Sequence, residues 1–468
     1  MIVPIVGASY QTEAVSFANQ RSVNLYPLLS EDADSKSVAA LRATPGLKRE
    51  YEVGGGAIRG GIESSNRAFF VSGQDFFEVE DDGTTTNHGN LLTGTGIVNL
   101  EENPTQVMII DGLYGYIFNK TTNTLTQITD GDFPTPSSVT FQDGYFIVTS
   151  GQFFAISGIN DGTTWSVLDR QTVESSPDDL VGVKSDSSNL WLFGTKSTEV
   201  FQNTGNVTFP FQRISGAIIE TGCAAQSTVQ EIDNALFWLG TDQNGDAIVW
   251  RSNGYNASRV STKAIERKIA DSENFNESYA WVYHERGSAF YLLQIKGLNT
   301  TLVLDVATGL WHERVYRNPR TNAEEQHRGS CHVFFKQKHL VGDRLSNKIY
   351  EMSLDYYDDD GDPLIKERTS PHYDQEKRLI THAQFELDME VGVGLQSGQG
   401  QNPQVMLQYS DNGGRTWSSE LWRTLGAVGK YFTRVKWNKL GASRDRVYRI
   451  RVSDPVFVQI NEAYLNGN

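Results

Sequence analysis

The 468-residue sequence predicts an all-β fold, a β-propeller of six or seven blades followed by a C-terminal antiparallel β-sandwich. Two observations lead to this prediction. Short apolar and aromatic runs recur at intervals of 38 to 53 residues, and glycine, asparagine and aspartate turns separate them instead of helical patterns. The C-terminal part then changes to longer strands in which apolar and polar residues alternate.

The first 50 residues differ from the repeats that follow. They are extended and punctuated by proline, as in the segments VNLYP (23–27) and LRATPGL (41–47). We therefore expect residues 1–50 to form an extended assembly segment, of which one part completes the propeller and another part reaches a neighbouring chain or the adaptor.

Residues 51–355 are predicted to form the propeller. Units of about 40–50 residues with four short strands each are the signature of this fold, and radial repetition protects strand edges. Seven repeats indicate seven blades, or six if the first and last repeats share a blade. A short helical pattern at 261–272 is interpreted as a connector. The repeats are anchored at 67–79, 106–128, 144–168, 189–214, 235–262, 288–314 and 338–354.

An acidic linker at residues 356–362 separates the propeller from the predicted sandwich at residues 363–468. About five strands are expected in the sandwich, and alternation is plain at 446–452, where Val447, Tyr448, Ile450 and Val452 stand among arginines. This period of two places Arg449 and Arg451 on one face of the strand.

Charge is distributed unevenly along the chain. The whole chain has a net charge of −16, which divides into −19 for residues 1–362 and +3 for residues 363–468. Residues 423–451 contain nine basic residues and one acid. An acidic body should repel a phosphate backbone. The basic stretch is either a set of solvated strand faces or a docking surface for an acidic partner.

No catalytic constellation emerges from the sequence. The eight histidines include no H-E-x-x-H motif, and no phosphate-binding loop is present. Two acidic segments, 242–246 and 358–362, resemble calcium loops without the spacing of an EF-hand, so we interpret them as a hairpin turn and a charged linker. We expect no enzyme activity, no cofactor and no metal. No apolar run approaches the ~18 residues that a membrane span needs, so we expect no membrane span.

The segment SDNGGRTW (410–417) resembles the Asp-box of sialidases, with Asn412 where the aspartate normally stands. In that turn a polar side chain bonds its own backbone and a tryptophan packs beneath it. The predicted structural turn therefore consists of Ser410, Asn412, Gly414, Thr416 and Trp417. It does not imply glycosidase chemistry, which needs two carboxylates beside a sugar cleft.

Three blocks of residues frame nearly the whole chain, and the middle block is the most specific. They are SVNLYP (22–27), LR (41–42), TPGL (44–47) and RGG (59–61); FG (193–194), STEVF (197–201), TG (204–205), FPF (209–211) and GCAA (222–225); and WNKLG (437–441), SRDR (443–446), VSDP (452–455) and AY (463–464). In these blocks the chain resembles the tail hub, or packaged-DNA stabilisation, proteins of short-tailed bacteriophages (podoviruses).

The resemblance implies a structural virion protein of the phage tail, assembled in the host cytoplasm. It implies a homo-oligomeric ring, a hexamer, below the portal and head-to-tail adaptor. Such a ring closes or lines the DNA channel, lets double-stranded DNA pass without tight binding and anchors spike, fibre or needle proteins. The alternatives are a propeller glycosidase or sialidase-like enzyme and a generic propeller scaffold. The candidate partner-interface residues are Asn24, Tyr26, Arg42, Arg59, Arg444, Arg446, Arg449 and Arg451.

Overall fold

The computed structural model describes residues 2–30, 32, 34, 36–173, 179–186, 188–241, 245–272 and 274–466. Strands account for 54% of the chain and helices for 3%, which confirms the predicted all-β class. The chain divides into two compact units. We call Arg49–Gly297 with Arg328–Glu351 the propeller unit, and Met1–Lys48 with Leu298–His327 and Met352–Asn468 the sandwich unit.

The described residues of the propeller unit form six four-stranded sheets and one two-stranded hairpin. In the first five sheets the strands follow in sequence order, which keeps the connections short. The strands of these five sheets are Ile58–Ser64, Arg67–Ser72, Asp75–Val79 and Thr85–Asn90; Asn99–Glu102, Gln106–Ile110, Gly115–Asn119 and Thr124–Gln127; Ser138–Gln142, Tyr145–Ser150, Phe153–Gly158 and Asp161–Thr172; Leu180–Asp186, Asn189–Gly194, Thr198–Asn203 and Phe211–Ile219; and Gln230–Ile232, Ala235–Thr241, Ala247–Asn253 and Asn256–Arg259.

The sixth sheet is closed by a strand from the other end of the sequence. It consists of Gly329–Phe335, Lys338–Asp343 and Lys348–Ser353, with Gly46–Glu52 as its fourth strand. The hairpin consists of Tyr279–Glu285 and Ser288–Gln294. One α-helix is described, Lys263–Ala270, which follows the fifth sheet in the sequence and precedes the hairpin. Its N-cap residue, Thr262, accepts a hydrogen bond from the Ile265 amide.

Local sequence explains the strands and their turns. The second strand of each sheet is apolar on both faces, as in Gln106–Ile110, where every residue is buried. Such strands must therefore be covered on both sides. Several hairpins turn on residue pairs with positive φ, among them Ser65–Asn66 (55° and 62°) and Asp233–Asn234 (51° and 54°). Turns with two positive φ angles match the twist of the flanking strands.

Apolar clusters between neighbouring sheets make the unit a propeller. Phe69 and Val71 of the first sheet share a cluster with Val107 and Ile109 of the second. Equivalent clusters join the second sheet to the third, the third to the fourth and the fourth to the fifth. Another joins Phe70 of the first sheet to residues of the sixth. The hairpin completes the circle, because the ring of Tyr291 lies 5.7 Å from that of Phe237 in the fifth sheet and the ring of Trp281 lies 6.2 Å from that of His332 in the sixth. The predicted β-propeller is confirmed.

The sandwich unit contains two large sheets around one apolar core, which includes the fully buried Trp437. In spatial order, the first sheet contains Thr301–Asp305, Leu310–Arg317, Asn19–Val23, Lys366–Thr369, Asp445–Val452, Gln404–Ser410 and Leu421–Thr424. The second contains Leu25–Leu29, Ala39–Ala43, Gln459–Leu465, Gln384–Met389 and Val435–Asn438, with Ile2–Val3 beside Gln459–Leu465. The remaining short strands are Tyr10–Gln11, Glu324–Gln326, Tyr373–Asp374, Ile380–Thr381 and Ala442–Ser443.

The sandwich unit differs from the predicted segment boundaries. Residues 1–48 belong to the sandwich unit, where Asn19–Val23 pairs with Lys366–Thr369 and Ile2–Val3 pairs with Gln459–Leu465. The acidic residues 356–362 also belong to this unit. Within them Asp359 is buried, and the amide of Asp360 donates to the Leu47 carbonyl at 2.6 Å. Backbone pairing between distant segments therefore places the N-terminal residues in both sheets of the sandwich.

Candidate interaction surfaces

A polar cavity of about 210 Å³ lies on the axis of the propeller unit. A DNA duplex cannot enter a cavity of this size. Each of the six sheets and the hairpin contributes its first strand to the lining. Representative lining residues are Gly61, Leu100, Val139, Lys184, Gln230, Trp281 and His332.

One ion pair and one histidine pair dominate the electrostatics of this cavity. Lys184 Nζ lies 2.6 Å from Glu101 Oε1. Burial opposes the charge of Lys184, but Glu101 outweighs burial, so the pKa of Lys184 is raised. His332 Nε2 lies 2.9 Å from His339 Nδ1, and burial together with His339 lowers the pKa of His332 to about 3. His332 is therefore neutral at physiological pH.

Arg59, a candidate interface residue, is buried in the propeller unit. Its guanidinium donates to the carbonyls of Gly73, Thr93, Thr95 and Gly96 at 2.7 to 2.9 Å. Burial lowers the pKa of Arg59. The structure therefore gives this side chain an internal role, which is to hold the loop between the first and second sheets.

Asn24 and Tyr26 are also buried, each only 2% exposed. Asn24 has a φ of 52°, and its amide group bonds the carbonyl and the N–H of Val315 and the carbonyl of Ile365. Short polar side chains such as asparagine tolerate this left-handed backbone. Arg42 is half-buried and lies 5.7 Å from the ring of Phe457. The ring of Tyr26 lies 6.0 Å from that of His312, so all three of these candidates have partners inside the sandwich unit.

The C-terminal arginines fall into two environments. Arg444 is exposed in a turn and donates to the Lys377 carbonyl at 2.8 Å. Arg446 is 2% exposed and donates to both carboxylate oxygens of Asp411, at 2.6 and 2.8 Å. Of these two neighbouring candidates, Arg444 is thus the one that solvent and partners can reach.

Arg449 and Arg451 lie on one face of their strand, and each is half-buried while Ile450 between them is buried. The Arg449 guanidinium lies 4.1 Å from the ring of Trp417, which is a cation–π contact. Arg451 pairs with Glu367 at 2.6 Å and with Glu420 at 3.3 Å. Internal partners therefore already occupy both guanidinium groups.

The SDNGGRTW segment forms a turn stabilised by its own side chains. Asn412 Oδ1 accepts from the Thr416 amide at 2.9 Å, and Ser410 Oγ accepts from the Gly414 amide at 2.8 Å. Gly414 has a φ of 93°, and a Cβ there would lie 2.1 Å from Asn19 Nδ2. Asn19 also donates to the Gly413 carbonyl at 2.8 Å. The turn thus has a tertiary partner that its own sequence did not reveal.

Sequence reasoning missed an exposed surface near the C-terminus. Trp422, Tyr431 and Phe432 are 47%, 68% and 100% exposed, among basic side chains that include Arg423 and Lys430. We call these five residues, together with Arg434, the basic edge face. A signal was available, because residues 421–440 contain five basic residues, several aromatics and no acid.

Within the described ranges, no group of three or more His, Cys, Asp or Glu side chains is arranged to hold a metal ion. Residues 242–244 of the first calcium-loop-like segment lie outside them. No described helix combines the length and apolarity of a membrane span.

Two family profiles cover the chain between them. The profile described as bacteriophage P22 Gp10, beta-propeller, matches residues 1–357, and that described as bacteriophage P22 Gp10, beta-sandwich, matches residues 366–468. The chain belongs to the bacteriophage P22 Gp10 family. It is therefore a phage tail structural protein, and the resemblance to podovirus tail hub proteins is confirmed. No curated protein matches the chain.

Several solved structures are similar to this member of the Gp10 family at low identity. One is the extracellular domain of a two component system protein from B. thetaiotaomicron, with a TM-score of 0.46 and 8% identity over 66% of this chain and 39% of that one. The WD40 beta propeller domain of Doa1 has a TM-score of 0.41 and 11% identity, over 66% of this chain and 97% of that one. The N-terminal domain of Nup159 has a TM-score of 0.42 and 10% identity, over 72% of this chain and 99% of that one.

Proposed function

We propose that the chain is a tail hub, or nozzle, protein whose copies form a ring below the portal and head-to-tail adaptor. The ring closes or lines the DNA exit channel, retains packaged DNA and anchors further tail components such as spikes, fibres or a needle. The observation that carries this proposal is the match of both family profiles, which together span nearly all of the sequence. The hexameric state is proposed from the family resemblance.

The size of the axial cavity supports a conduit made by several chains. A cavity of about 210 Å³, crossed by the Lys184–Glu101 ion pair, leaves no path for a duplex along the axis of one propeller unit. DNA that passes this protein must therefore run between copies, and a closed ring of protomers provides such a space.

The charge distribution supports a conduit that does not grip DNA. The propeller unit has a net charge of −13 and the sandwich unit a net charge of −3. Each lysine or arginine placed against phosphate adds salt-dependent affinity through counterion release, and many such contacts would stall ejection. An acidic wall facing the lumen avoids this cost.

The cavity does not favour the alternative of a propeller glycosidase. That chemistry needs two carboxylates on either side of a sugar. Among the described residues that line the axial cavity, Glu101 is the one carboxylate, and Lys184 holds it in an ion pair. The geometry therefore supports a structural role for this protein.

A gene deletion in the phage that encodes the chain tests the proposal. Heads made without the protein should package DNA and then lose it, because the exit channel lacks its closing ring. Nuclease-protected DNA per particle and infectivity measure this, and the purified full chain added to such particles should restore both. Unchanged protected DNA and infectivity, or the absence of the chain from purified virions, would contradict the proposal.

A further inference from the structure

The basic edge face lies where one edge strand from each sheet of the sandwich unit meets the other. These strands are Leu421–Thr424 and Val435–Asn438. Arg423 Nε donates to the Lys436 carbonyl at 2.6 Å, and Trp437 Nε1 donates to the Leu421 carbonyl at 2.8 Å. Side chains therefore join the two strands into a continuous surface.

The loop that presents Tyr431 and Phe432 is built in a defined shape. Thr433 Oγ1 donates to the Lys430 carbonyl at 2.8 Å. Gly392, with a φ of 74°, packs so closely beneath the loop that a Cβ there would lie 2.8 Å from Tyr431 Cδ1. A preorganised loop loses little conformational entropy when a partner binds. Exposed aromatics on such a loop are typical of binding surfaces.

The face also keeps unpaired positive charge. Arg434 pairs with Glu386 at 2.8 Å. Arg423 and Lys430 form no ion pair with any residue that the structure describes. An occupant must therefore supply both apolar contact and carboxylates.

The complementary charge lies on the same chain. Residues 49–220, which include the first four sheets of the propeller unit, contain 22 acidic and 8 basic residues, a net charge of −14. An example is the turn after Asp75–Val79, where Glu80, Asp81 and Asp82 are consecutive and exposed. We propose that the basic edge face of one protomer docks on the acidic surface of these four sheets in a second copy. Two different patches then meet head to tail, which builds a ring when the rotation closes.

This inference rests on the proposed ring, and it assigns the surfaces that meet. The first test replaces the fully exposed Phe432 with the photo-crosslinking residue p-benzoylphenylalanine, in the full chain and in virions. After irradiation, mass spectrometry should find position 432 joined to a peptide from residues 49–220 of another copy. A crosslink to a different tail protein, to DNA or to lipid overturns the inference, as does one to any other part of this chain. Because the virions must contain the chain for this test, such a result leaves the proposed tail role standing.

The second test uses paired charge reversals. Variant A carries Arg423→Glu and Lys430→Glu, and variant B carries Glu80→Lys, Asp81→Lys and Asp82→Lys. Each variant alone should show at least a tenfold weaker self-association by sedimentation velocity at low salt. The mixture should form a 1:1 complex, because A keeps the acidic surface and B keeps the basic edge face.

A matched control separates this contact from the effect of net charge. Lys263→Glu with Arg415→Glu changes the charge as much as variant A does, at exposed positions outside the face. This control should self-associate like the wild type. Circular dichroism melts verify that each variant folds. A monomeric wild type at low salt, equal loss in the control and variant A, or an A–B mixture that stays monomeric overturns the inference.

Discussion

Replacing Arg446 by methionine should destabilise the sandwich unit by about 4 kcal/mol, whereas the same change at Arg444 should cost less than about 0.5 kcal/mol. The two residues are neighbours in a basic stretch and equal candidates by sequence. Their environments differ, because Arg446 is 2% exposed and Arg444 is exposed. Because both variants replace arginine by methionine, any difference in their stability reports on the burial and hydrogen bonding of the two side chains.

The magnitude follows from three contacts of the Arg446 guanidinium. Its pair with Asp411, whose side chain is 45% exposed, is screened by solvent and contributes about 1 kcal/mol. Removing the donor that lies 2.6 Å from the buried Leu440 carbonyl costs about 2 kcal/mol. Loss of the contact with the Tyr409 ring, 4.1 Å away, costs about 1 kcal/mol.

Urea unfolding followed by fluorescence, with hydrogen exchange of peptides from Asp445–Val452, measures the difference between the two variants. Equal unfolding midpoints for Arg444→Met and Arg446→Met would refute the reasoning. The result also decides how the interface is tested, because charge reversal at Arg446 reports on folding whereas charge reversal at Arg444 reports on a surface.

Three further predictions concern pH, backbone conformation and sheet packing. His382 is fully buried, and burial together with the Arg446 cation lowers its pKa to about 4. The unfolded chain therefore binds a proton at His382 before the folded chain does, and this one histidine should lower the stability by about 3 kcal/mol as pH drops from 6.5 to 4. Urea titrations should find that much less pH dependence in His382→Gln. Asn24→Ala should cost about 1 kcal/mol more than Asn24→Gly, because only alanine pays for the φ of 52°; equal unfolding midpoints would contradict this. Gly60→Ala should cost about 1–3 kcal/mol, because its Cβ would lie 2.8 Å from the Val98 carbonyl oxygen. Thermal melts measure this, and an unchanged melting temperature would show that the first and second sheets can move apart there.

The repeat pattern and the turns could be predicted from the sequence because they depend on near neighbours. Spacing of the apolar runs indicated the propeller, and the SDNGGRTW pattern indicated a turn that the structure contains. The fold and family were within reach for this reason. Which of the charged residues are bonded inside the chain could not be predicted, because a charged residue in a strand carries no local mark of its cross-strand neighbours.

The sequence by itself determined the all-β class, the propeller and sandwich, and the family. Only the tertiary structure decided that residues 1–48 complete the sandwich, through pairs such as Arg21 with Thr369 and Ile2 with Tyr464. It also decided that the Arg446 side chain is buried while that of Arg423 is exposed. The physical reason is that strand pairing between distant segments depends on three-dimensional register, and that register decides which charges are neutralised inside the chain and which remain at its surface.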